Sequence, residues 1–87
     1  MTIAVYPGSF DPITNGHLEI IERSINIFDK VIVAILDNKN KEALFDRTYR
    51  KELIEQSTKQ FGQVDIDIFS SLLVDYMEQK KASVIIR

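Results

Sequence analysis

Val5-Tyr6-Pro7-Gly8-Ser9-Phe10-Asp11-Pro12-Ile13-Thr14-Asn15-Gly16-His17 leads from a short apolar strand into an amphipathic helix. The first N–H groups of a helix are unpaired, and the macrodipole is positive there, so helix starts attract phosphate. Gly8 and Gly16 have no Cβ, which lets backbone approach a ligand closely. Glycines, hydroxyls and one histidine at this junction suit a phosphate-bearing ligand.

The flanking pattern gives the fold class. Ile3 to Tyr6 is apolar throughout and reads as a strand buried on both faces. His17 to Phe28 reads as a helix, with Leu18, Ile21, Ile25 and Phe28 on one face and Thr14 or Asn15 as its cap. Val31 to Leu36 is a second central strand, and Asp37 to Glu42 a polar loop. Asp46 is positioned to cap a second helix, whose inward residues are Tyr49, Leu53, Ile54 and Phe61 and whose end is Gly62. Val64, Ile66 and Ile68 alternate with Gln63, Asp65 and Asp67, as in an edge strand with one wet face. Ser70 or Ser71 caps a third helix from Leu72 to about Lys80, with Leu72, Leu73, Tyr76 and Met77 inward. Val84-Ile85-Ile86 is the fourth strand. The β-α-β-α-β-α-β alternation predicts an α/β, Rossmann-like parallel sheet, and the buried and edge readings suit the order 3-2-1-4.

Ligands of such sheets bind beyond the strand carboxyl ends, where strand order reverses. Ser9 and His17 follow the first strand, Lys41 the second, Leu73 the third and Arg87 the fourth. Arginine suits bidentate phosphate binding. Each residue also has a plain reading: Ser9 as a turn residue, Lys41 as a solvated loop lysine, Leu73 as core, and Arg87 as a charge marking a strand end. Phe10 packs under the loop with its N–H available to phosphate, while Asp11 and Pro12 shape the turn. Asp65 and Asp67 form the wet face of the edge strand, and Lys80-Lys81 complements a helix dipole.

G-S-F-D-P-x-T-x-G-H resembles the signature of adenylyltransferases that make coenzyme A precursors, phosphopantetheine adenylyltransferases in particular. Related nucleotidyltransferases carry H-x-G-H, with histidine where this chain has Thr14. The resemblance continues through Asn38–Lys41, Phe69–Tyr76 and Val84–Arg87. It implies transfer of the AMP part of ATP to 4′-phosphopantetheine, giving dephospho-coenzyme A and pyrophosphate. It implies that His17 stabilises the transition state and that Ser9, Phe10 and His17 contact ATP. Ser9, Lys41, Leu73 and Arg87 would contact the acceptor. It also implies Mg²⁺, although no residue announces itself as a ligand, and a homo-oligomer, a hexamer. The family's later G-x-R, acidic and I-S-S-S-like motifs lie beyond the pattern seen here. The expectation is therefore that residues 1–87 form the amino-terminal part of one nucleotidyltransferase domain, an incomplete version of the fold that is weakly active alone. The other readings are a non-catalytic binding or assembly module, and a nucleotidyltransferase acting on a mononucleotide.

Composition bounds these readings. The 87 residues are 45% hydrophobic and 28% charged, with net charge −2, as expected of a single soluble domain with no nucleic-acid partner. There is no cysteine, which excludes a thiolate nucleophile, a disulfide framework and a cysteine zinc site. The apolar runs are too short to span a membrane, and the expected location is cytoplasmic.

Overall fold

The computed structural model describes residues 1–37 and 45–87. Four parallel strands, β1 (Ile3–Gly8), β2 (Lys30–Leu36), β3 (Val64–Phe69) and β4 (Val84–Ile85), form one sheet in the order β3-β2-β1-β4. Three helices connect them in sequence: α1 (Asn15–Ile25), α2 (Arg47–Ser57) and α3 (Leu73–Lys80). The predicted order and class are both found. Among the described residues, no helix is long and apolar enough to cross a membrane.

The sheet separates two cores because successive strand residues point to opposite faces. Tyr6, Val33 and Ile35 pack with Ile21 of α1 and Ile54 of α2 on one face. Val5, Ile32, Ala34 and Phe69 pack with Tyr76 of α3 on the other. Ile21 and Ile54 are fully buried, each worth roughly 1.5–3 kcal/mol of transfer free energy. α1 and α2 thus cover one face and α3 the other. The chain changes direction across the sheet between β3 and β4, so strand order reverses at β1.

Several local expectations are corrected. α1 starts two residues before His17, because Thr14 is the N-cap, and stops at Ile25, where Asn26 turns back onto Arg23 and Ser24. Asp46 occupies the N-cap of α2 but makes no side-chain cap bond. Tyr49 is 46% exposed and stacks obliquely on Phe45, while Arg50 takes the inward position. α2 ends at Ser57, well before Gly62, and the left-handed residue that follows is Gln63, at φ 65. Neither Ser70 nor Ser71 caps α3: Leu72 is its N-cap, 71% exposed and not core, whereas Leu73, Tyr76 and Met77 do pack inward.

The β3 aspartates are only partly wet. Asp65 pairs with Lys30 at 2.7 Å. Asp67 accepts from the Tyr76 hydroxyl at 2.8 Å and lies 3.3 Å from Lys80 Nζ. Burial opposes ionisation of Asp67. The hydrogen bonds from Tyr76, the Ile68 N–H and Lys80 outweigh it, and the carboxyl sits below its ordinary value. Tyr76 is pushed above its ordinary value, first by burial and then by its bond to Asp67 and the charges of Asp67 and Asp65. Lys30, Asp65, Asp67 and Lys80 line a cleft of about 320 Å³, its two cations paired with its two anions.

Candidate functional site

The loop after β1 and the first turn of α1 form one packed unit. Thr14 and His17 make a capping box. The Thr14 N–H donates to His17 Nδ1 at 2.9 Å, and the His17 N–H donates to Thr14 Oγ1 at 3.3 Å. Thr14 Oγ1 also lies 3.1 Å from Nδ1. A backbone N–H can only donate, so Nδ1 must accept, and the neutral ring carries its proton on Nε2. The cap therefore fixes both the ring's position and its tautomer.

Phe10 supports the ring from beneath. It is 3% exposed and meets His17 edge-on, with centroids 4.9 Å apart, and Tyr6 at 5.2 Å. Its φ is 46, in the left-handed region that side chains other than glycine rarely adopt. Such a residue costs roughly 1–2 kcal/mol. Two contacts from the start of α2 and its approach hold the loop there. The Phe45 N–H donates to Asp11 Oδ1, and Arg50 Nη1 donates to the Ser9 carbonyl, each at 2.8 Å. Gly8 matters for the same reason: a Cβ there would come within 3.2 Å of Phe10 Cε2.

The strand register places the remaining candidates on the same edge. Gly8 pairs with Ile35 and Leu36 with Phe69, so the β1, β2 and β3 ends are level. Ile85 pairs with Val5, which carries the exposed Arg87 to the level of the β1 end. Ser9 is exposed and begins the loop. Leu73 shares the edge but packs into the α3 core, on the opposite face from the cluster around His17. Lys41 lies outside the described residues. Among the described residues no cluster of three or more His, Asp or Glu side chains could hold a metal ion.

Arg50 is the residue that sequence reasoning missed. It is 5% exposed, with Ile54 and Thr58 following at four-residue intervals along the buried stripe. That spacing was legible, but a charged residue among apolar ones reads as surface. A cleft of about 360 Å³ lies against it, lined by Asp37, Phe45, Asp46 and Arg47. Arg47 closes one side through a 2.6 Å pair with Asp37.

The parallel sheet thus carries a glycine loop and a helix-start histidine at the point where its strand order reverses. Residues 5–87 match the cytidylyltransferase-like family, and the chain belongs to it. It is 53% identical, over its full length, to a protein of Syntrophomonas wolfei named phosphopantetheine adenylyltransferase, covering 54% of that relative. A protein of the same name from Natranaerobius thermophilus is 49% identical, with the same coverage. The chain thus spans about half the length of the curated relatives it matches. A solved structure, Plasmodium falciparum nicotinic acid mononucleotide adenylyltransferase complexed with NaAD, shares the fold. Its TM-score is 0.72 at 21% identity, over 92% of this chain and 45% of that one.

Proposed function

We propose that this chain serves adenylyl transfer from ATP to 4′-phosphopantetheine, as the names of its curated relatives suggest. A phosphate oxygen of the acceptor bonds to the α-phosphorus. The bond from that phosphorus to the oxygen bridging to the β-phosphate breaks, and pyrophosphate leaves with the electron pair. The nucleophile is already ionised near neutral pH, so the reaction needs no general base. What it needs is alignment, together with donors aimed at charge that develops around the α-phosphorus.

The observation that carries this reading is the His17 ring, with Nδ1 engaged by Thr14 at the start of α1. That leaves Nε2–H as the donor for an α-phosphate oxygen. Ser9 and the Phe10 N–H supply further donors to ATP. Arg87, Lys41 and the backbone at Leu73 receive the acceptor's phosphate and arm. Mg²⁺, when bound with ATP, would supply neutralising charge to the phosphates. A cytoplasmic hexamer is the expected setting.

The test is pyrophosphate release by the full-length protein. Turnover should require both ATP and 4′-phosphopantetheine and should not occur when nicotinic acid mononucleotide replaces the acceptor. Turnover with the mononucleotide alone would favour the other acceptor class. Residues 1–87 by themselves should turn over far more slowly.

A further inference from the structure

Arg50 occupies a costly position. A guanidinium that is nearly fully buried needs its donors satisfied, because a buried charge is stabilised only by partners. Arg50 has one strong bond, from Nη1 to the Ser9 carbonyl, while its Nε is buried without a hydrogen-bond partner among the described residues. No carboxylate lies within salt-bridge distance of it among the described pairs. A stability role alone would be better served by an apolar residue above Ile54. Departures of this kind from local rules are expected where function requires them.

The geometry of one peptide unit suggests what Arg50 does. In a trans peptide the C=O and the following N–H point in opposite directions. Arg50 draws the Ser9 carbonyl toward α2, which packs on the β3 side of the sheet. The Phe10 N–H is then turned away from α2. We infer that Arg50 is a positioning residue: it orients the Ser9–Phe10 peptide so that the Phe10 N–H meets a phosphate of the nucleotide. The left-handed φ of Phe10 fits this role, since an amide flipped back to an ordinary conformation would break the Arg50 bond. The inference rests on the adenylyl-transfer reading, but its signature is visible without turnover.

The experiment follows the Phe10 amide and the Arg50 guanidinium by NMR in the ¹⁵N-labelled full-length protein, with inorganic pyrophosphate as the probe. In wild type, pyrophosphate should move the Phe10 amide and the Arg50 Nε signal along the same binding curve. Arg50→Met should shift the Phe10 amide before any ligand is added and weaken pyrophosphate binding about tenfold, the size of one 1.4 kcal/mol interaction. The amides of Ile66 and Met77 should stay in place. Unchanged affinity and an unchanged Phe10 amide in Arg50→Met would overturn the assignment. The wild-type titration alone also decides it if that variant does not fold: an Arg50 signal that stays still while Phe10 moves would equally overturn it. Wild type that binds no pyrophosphate would instead overturn the adenylyl-transfer reading.

Discussion

Thr14 and His17 hold each other across the first turn of α1, each backbone N–H donating to the other's side chain, at 2.9 and 3.3 Å. The residue that caps the helix is also the residue that fixes the imidazole. Thr14→Ala should therefore cost about 1 kcal/mol of stability through the lost cap. It should lower kcat much less than loss of the histidine does, because the Thr14 N–H still holds Nδ1. Thr14→Ser should restore both. Urea denaturation of the three proteins checks this, and an unaltered midpoint in Thr14→Ala would contradict it.

Gly8 should not tolerate alanine. The added methyl would sit 3.2 Å from a Phe10 ring already confined between Tyr6 and His17, and so unable to retreat freely. Overpacking of this kind costs typically 1–3 kcal/mol. Gly8→Ala should lower the thermal midpoint and also kcat, because the displaced ring carries His17 with it. Gly62, with nothing within 4 Å of an added Cβ, is the control that should accept alanine.

The Asp67–Tyr76 pair gives a pH prediction. The folded-state value of Asp67 lies below its ordinary one, so its contribution is present above the unfolded value of about 3.9 and is lost as pH falls through the folded value. The side chain is 39% exposed, and solvent screening limits the effect to about 1 kcal/mol. Wild type should lose more stability than Asp67→Asn between pH 6 and pH 3, measured by urea titration. Equal losses would contradict the assignment. Tyr76 has the opposite sense: its value is raised, so its contribution is lost only as pH rises above its ordinary value.

Leu72 and Ile54 should behave differently despite similar size. Leu72→Ala, at an exposed cap position, should change stability by less than about 0.5 kcal/mol. Ile54→Ala opens the core between α2 and the sheet and should cost about 2–5 kcal/mol. Equilibrium unfolding of both variants decides between this assignment and the inward position expected for Leu72.

The sheet order was legible because burial differs strand by strand: Val31 to Ile35 is uniformly apolar and central, whereas Val64 to Ile68 alternates and lies at the edge. The Thr14 cap was legible from residue type, and the packing of Phe10 from its place in the loop. Other features depended on tertiary context. Arg50 is buried because the Ser9 carbonyl lies within its reach, a contact between residues 41 apart in sequence. Tyr49 turns outward because Phe45 offers it a partner there. The capping box itself joined a threonine to a histidine, where a glutamate or glutamine is the usual sign.

In the proposed reaction His17 acts on charge developing in the transition state rather than on ground-state affinity. The most direct test is steady-state pyrophosphate release by full-length wild type and His17→Ala, with circular dichroism to show that both are folded. His17→Ala should lower kcat by at least about 10²-fold, the usual cost of removing one preorganised donor, with little change in KM for 4′-phosphopantetheine. An unchanged kcat with a raised KM would show that His17 only binds substrate and has no part in the transition state.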